Sequence, residues 1–161
     1  VIAYIGLGSN LDDRLEHLRR AYRAINQPTL GRIVNSSSVY ASAPWGDALQ
    51  ADFFNAVLAV ETHLDAHALL DQLHRIEAQL GRVRDPERRY GPRTIDLDLI
   101  DFGGSVIADA RLTLPHPRAI ERRFVIEPLA EIAPAHPLIG RAQLNDSSLK
   151  LVVNSDQLLK S

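Results

Sequence analysis

The fold class this 161-residue sequence predicts is α+β, a ferredoxin-like βαββαβ sandwich. Three observations predict it. Segments of period-two alternation are interleaved with helical ones in the order strand, helix, strand, strand, helix, strand. The two helical segments carry apolar residues at steps of three and four, the mark of a single buried face. Length and composition, 45% hydrophobic and 24% charged, suit one domain spanning 1–161 with a real core. Such a sheet should be mainly antiparallel, with two helices on one face.

Each element follows from its residues. Val1 to Leu7 is apolar and β-rich, and reads as a buried strand ended by Gly8-Ser9-Asn10. Asn10 is placed to cap a helix whose first turn holds Asp12 and Asp13 and whose stripe is Leu11, Leu15, Leu18, Tyr22 and Ile25. It ends before Pro28. Ile33 to Ala41 reads as one strand, and 42–51 as a loop. Asp52 to Thr62 is a strand with Phe53, Asn55, Val57 and Ala59 on one face and Phe54, Ala56, Leu58 and Val60 on the other. Asp65 caps a helix to Leu80, stopped by Gly81, with Leu69, Leu70, Leu73, Ile76 and Leu80 inward and Glu77 at the edge of that face. Thr94 to Phe102 is the next strand, Gly103-Gly104 a turn, and Val106–Ala108 a short strand placed to pair back. Phe124 to Ile132 is helical in part, with Pro128 near its first turn. Residues 149–153 fit a strand or a helix.

Several function classes are excluded or disfavoured. A formal charge of −2 provides no global field for a nucleic-acid backbone. Zero cysteines rule out disulfides, thiolate metal sites and thiol catalysis. No apolar run reaches transmembrane length and no leader pattern is present, so a cytoplasmic protein is expected.

Chemistry concentrates in Arg82 to Asp101. Arg82, Arg84, Arg88, Arg89 and Arg93 fall within twelve residues, opposed only by Asp85 and Glu87. Asp96 and Asp98 then share one strand face, where two carboxylates repel unless a cation intervenes. One or two carboxylates, with water and phosphate oxygens completing the shell, are what Mg²⁺ takes, and guanidinium groups suit a polyphosphate. Together they point to a magnesium–phosphate site; a solvated acidic strand face is the plainer alternative. Strict alternation puts Asp101 on the opposite face. Phe53 beside Asn55 suits a flat heterocycle, stacked by one and read by the other, although a core Phe and a structural Asn fit as well. His116, between two prolines, is a candidate phosphate donor or a surface histidine. Gly6-Leu7-Gly8 lacks the third glycine of a dinucleotide loop and reads as a tight turn from strand to helix, and no GxxxxGK[ST] exists.

These residues resemble the 6-hydroxymethyl-7,8-dihydropterin pyrophosphokinase family. The resemblance is carried by Ala3 to Leu11, Phe53 to Ala56, Arg75 to Glu77 with Gly81 to Arg84, and above all Arg88 with Tyr90-Gly91-Pro92-Arg93-Thr94-Ile95-Asp96-Leu97-Asp98. Leu114 to Pro117 and Arg122 to Phe124 complete it, over roughly residues 1 to 135. It implies transfer of diphosphate from ATP to the pterin hydroxymethyl group, with release of AMP, in folate biosynthesis. It implies two Mg²⁺ on Asp96 and Asp98, with Arg82 and Arg93 as the catalytic cations. Ser42, Pro44, Trp45, Phe53, Asn55 and Phe124 would bind the pterin. Leu70, His74, Glu77, Arg84, Leu99, Arg111, Thr113, His116 and Arg122 would serve the nucleotide. His74 stands where the family commonly shows Gln, and Tyr90 where it shows Trp. A monomer acting on ATP and the hydroxymethyl pterin, without nucleic-acid or membrane partners, is expected. A nucleotide- or RNA-binding sandwich and a metal-dependent phosphohydrolase remain as alternatives.

Overall fold

A computed structural model describes residues 1–11, 13–43, 51–81, 94–144 and 149–155. In chain order its elements are β1 (Ile2–Ser9), α1 (Arg14–Ile25), β2 (Arg32–Ser36), β3 (Val39–Ser42), β4 (Phe53–Glu61), α2 (Ala66–Gln79), β5 (Asp96–Phe102), β6 (Ile107–Ala108), β7 (Thr113–Leu114), α3 (Arg123–Ile132), α4 (Pro137–Gly140) and β8 (Lys150–Val153). The main sheet runs β5–β1–β4–β3–β8, with β2 also paired to β4, and every pairing is antiparallel. β4 thus enters between β1 and the β2–β3 segment, which is the split-βαβ order the sequence predicts.

The alternation in β1, β4 and β5 builds the core. Ala3, Ile5 and Leu7, Ala56, Leu58 and Val60, and Leu97 and Leu99 are all buried against Leu18, Ile25, Leu69 and Leu73 of α1 and α2. Asp65 caps α2 as expected, accepting from Ala68 N at 2.8 Å. Beyond the helix Gly81 has φ +86°, a left-handed conformation that favours glycine. The opposite face carries a second, smaller core of Val57, Ile100, Val125, Ile126, Leu129 and Leu138, so α3 and α4 cover part of the side that two layers would leave bare.

Some expectations are corrected. The segment Ile33–Ala41 is two strands, because Ser37 leaves the regular ladder: its Oγ accepts from Val57 N at 2.8 Å while its own N donates to Val57 O at 2.9 Å. Asp13, not Asn10, caps α1, accepting from Glu16 N at 3.2 Å. Asn10 is buried and donates to Ala51 O at 3.4 Å. Gly6 and Gly8 are not a turn, since β1 continues in register with β4 and β5 through Gly8. Pro128 lies inside α3 beyond the first turn, leaving the Phe124 carbonyl without the usual donor four residues on. Residues 150–153 form an edge strand beside β3.

Candidate active site

Cross-strand partners share a face. Asp96 stands opposite Gly8 and Asp98 opposite Gly6 on β1. Gly8 in turn stands opposite Asn55 of β4, and Asn55 opposite Tyr40 of β3. One row across four strands therefore reads Tyr40, Asn55, Gly8, Asp96, on the face away from α1 and α2. Phe53 and its β3 partner Ser42 lie one step along the same face. The strand spacing puts Asn55 and Asp96 roughly 10 Å apart, with β1 between them.

The glycines keep that gap open. A Cβ on Gly8 would meet Asn55 Oδ1 at 3.5 Å, Phe53 Cδ1 at 3.7 Å and Asp96 Cβ at 4.0 Å. The position is thus in reach of the aromatic ring, the amide and the first carboxylate at once. The Asn55 amide is oriented from behind: its Nδ2 donates to Ser42 Oγ at 2.7 Å and to the Tyr40 and Phe53 carbonyls at 3.3 Å each. Its donors are engaged within the protein, and its Oδ1 lies toward the space above Gly8.

Asp96 and Asp98 are half-buried. No group of three or more His, Cys, Asp or Glu that could hold a metal occurs among the described residues. A pair rather than a cage fits Mg²⁺, which fills its remaining positions with water and phosphate oxygens. The backbone between the two is braced by the buried Glu77 of α2, whose Oε2 accepts from Leu97 N at 2.9 Å. Glu77 therefore lies beneath the edge strand, and its visible role is to position the carboxylates.

His116 reaches the same end of the site. Its N donates to Ile100 O at 2.8 Å. Its Nδ1 accepts from Arg118 N at 3.2 Å, so the neutral ring carries its proton on Nε2. Burial, and then the Arg122 and Arg118 charges, pull its pKa down to about 4, opposed by Asp96. The ring is a neutral donor at pH 7, beside a carboxylate and two guanidinium groups. The Arg122 guanidinium lies 5.4 Å from the centre of the Phe124 ring, which links this cationic end to the aromatic residue at the start of α3. Phe124 itself packs on the smaller core with Val57 and Ile100.

Residues 4–134 match the family model described as 7,8-dihydro-6-hydroxymethylpterin-pyrophosphokinase (HPPK). The chain belongs to this family. It is accordingly a pyrophosphokinase of folate biosynthesis. The 2-amino-4-hydroxy-6-hydroxymethyldihydropteridine pyrophosphokinase of Methylorubrum extorquens is 45% identical over 149 residues, covering 92% of each chain. That of Haemophilus influenzae is 48% identical over 133 residues, covering 83% of this chain and 82% of the relative. Among solved structures, a Plasmodium falciparum HPPK-DHPS crystal structure shares the fold with a TM-score of 0.68 at 14% identity, over 87% of this chain and 43% of that longer one.

The other HPPK-family positions divide in two. Leu70 and Leu99 are buried in the main core, at the outer strand β5 and the α2 flank. Thr113 is exposed on the β6–β7 hairpin beside it, and His74 is exposed on α2. Arg111 forms an exposed ion pair with Asp71 of α2. These residues border the edge of the sheet, not the face that holds Asn55 and the two aspartates. Arg82, Arg84, Arg93, Pro44 and Trp45 lie outside the described residues. The described residues on either side of the arginine segment lie close together, Thr94 Oγ1 donating to Gly81 O at 3.5 Å.

Asp101 corrects the sequence reading. Ile100 is an extra residue in the β1–β5 register, between the pairs Ile5–Leu99 and Tyr4–Asp101. This bulge reverses the parity of the residues beyond it. Asp101 thus faces the same side as Asp96 and Asp98, buried, with His136 Nε2 at 3.0 Å from its Oδ2. Tyr4 packs edge-on against His136 at 5.0 Å. Asp101 is occupied in holding the chain before α4.

Proposed function

We propose that the face of β4, β1 and β5 carries out the family's reaction: transfer of the terminal diphosphate of ATP to the hydroxymethyl oxygen of 6-hydroxymethyl-7,8-dihydropterin, with release of AMP. The observation that carries this reading is the row Asn55, Gly8, Asp96. A heterocycle reader and a carboxylate pair share one face, with only a glycine strand between them. The pterin would lie over Gly8, stacked by Phe53 and Phe124, with Asn55 Oδ1 accepting from a ring N–H and Ser42, Pro44 and Trp45 completing the pocket. The nucleotide would straddle the outer edge of β5. Its base would lie toward Leu70, His74, Leu99, Arg111 and Thr113, its phosphates toward Asp96, Asp98, His116 and Arg122.

Mg²⁺ ions held by Asp96 and Asp98 would offset the charge of the triphosphate oxygens. The chain's own residues then position and stabilise. The pterin hydroxyl oxygen attacks the β-phosphorus, the bond from that phosphorus to the α,β-bridging oxygen breaks, AMP departs with that oxygen, and the hydroxyl proton is lost to solvent. His116 donates through Nε2 to a phosphate oxygen, and Arg82, Arg84, Arg93 and Arg122 supply positive charge where negative charge develops. The scheme calls on no residue of a second copy, and we expect the protein to act as a monomer. Incubation with ATP, Mg²⁺ and the hydroxymethyl pterin should yield AMP and the pterin diphosphate in equal amounts. ADP would mean single phosphoryl transfer, pterin-independent phosphate a hydrolase, and no turnover a binding module; each outcome would overturn the proposal.

A further inference from the structure

We infer that Glu131 is a positioning residue for the pterin, tying together the two elements that shape the pterin end of the site. The inference rests on the assignment of Asn55 and Phe124 to the pterin.

Glu131 sits near the end of α3, which packs on β4 and β3. Its Oε1 accepts from Ser38 N at 2.9 Å and from the Tyr40 hydroxyl at 2.8 Å, and its Oε2 accepts from the Ser38 hydroxyl at 2.7 Å. Three donors from β3 and the residue before it thus converge on one carboxylate. Hydrogen bonds to a charged acceptor are stronger than neutral ones. The Tyr40 hydroxyl is held protonated by burial and by this carboxylate, with its pKa raised to about 12.

Tyr40 stands directly opposite Asn55. Its carbonyl and the Ser42 hydroxyl two residues on are the acceptors that turn the Asn55 amide. On the other side, Phe124 lies seven residues before Glu131 on the same helix, two turns away and so on the same helix face. One carboxylate therefore fixes the spacing between the strand that orients the amide and the helix that carries the aromatic ring. The link is needed because Pro128 takes one hydrogen bond out of α3 at the Phe124 carbonyl. Nothing in this network reaches the outer edge of β5.

The test is equilibrium binding of the hydroxymethyl pterin, in the presence of a non-hydrolysable ATP analogue and Mg²⁺, and separately of the analogue alone. The variants are E131A, E131Q, Y40F and N55A. Expected is pterin Kd raised about ten-fold in E131A, with analogue Kd within about two-fold. E131Q should recover most of the loss, because its amide oxygen still accepts from Ser38 N and Tyr40. Y40F, which removes one hydroxyl, is the mild variant should E131A not fold, and should raise pterin Kd about three-fold. Unchanged pterin affinity in folded E131A or in Y40F would overturn the inference, as would equal weakening of both ligands. N55A separates the two levels: if it leaves pterin affinity intact, the pterin assignment itself fails; if it weakens binding while E131A and Y40F do not, only the role of Glu131 fails.

Discussion

The two faces of the central sheet are made from alternate residues of the same strands and are filled in opposite ways. Toward α1 and α2, β1 offers Ala3, Ile5 and Leu7, and β4 offers Ala56, Leu58 and Val60, each buried. One residue away, the same strands offer Gly6 and Gly8, Phe53 and Asn55. The first face uses its side chains for packing; the second withholds them along β1 and surrounds the opening with an amide, a ring and two carboxylates. Stability and chemistry are thus separated by strand parity. Substitutions one residue apart on a strand should have opposite phenotypes.

The sharpest break in that comparison is D96A or D98A. Either should lower kcat by about 10²- to 10³-fold or more while the protein stays folded, because on the proposed reading each would remove a charge that acts, through Mg²⁺, on the triphosphate. Steady-state kinetics beside thermal melts checks this, and near-normal turnover in either variant removes the metal assignment. The reverse phenotype belongs to L58A on the packed face. Loss of a fully buried leucine should cost about 2–5 kcal/mol, read as a lower midpoint in urea, with kcat per folded molecule close to wild type.

How much of this was legible in the sequence depends on the range of each interaction. The two faces of β4 and the aspartate pair of β5 could be read directly, because period-two alternation is local. The bulge at Ile100 could not: it inserts one residue into a pairing with β1, and nothing around Asp101 signals the change of parity. Gly6 and Gly8 looked like a turn because glycine favours turns; their place inside a strand depends on what stands opposite them on β4 and β5. The break at Ser37 depends likewise on Val57, twenty residues away. Ser38 and Glu131 are 93 positions apart, and no local pattern connects them.

Two smaller effects refine the contrast. N55A should raise the pterin Kd by roughly ten-fold or more and lower the melting temperature modestly, since its Oδ1 faces the opening while its Nδ2 donates to Ser42, Tyr40 and Phe53. Calorimetric titration of the pterin would measure it. His116 makes the site face sensitive to acid. Its folded-state pKa of about 4 lies below its ordinary 6.5, so between those values the unfolded chain binds the proton first. The contribution of the neutral ring to stability is whole above pH 6.5 and is lost progressively as pH falls toward 4. Between pH 7 and pH 5, the urea midpoint should therefore fall further in wild type than in H116Q. Equal falls would show that the ring titrates alike in both states.

The most direct measurement of the central claim is a crystal structure with Mg²⁺, a non-hydrolysable ATP analogue and the hydroxymethyl pterin. The expected result is metal at about 2.0–2.1 Å from carboxylate oxygens of both Asp96 and Asp98, with the pterin lying over Gly8 against Asn55. A pterin bound on the α1–α2 side of the sheet, or a metal that neither aspartate touches, would contradict it.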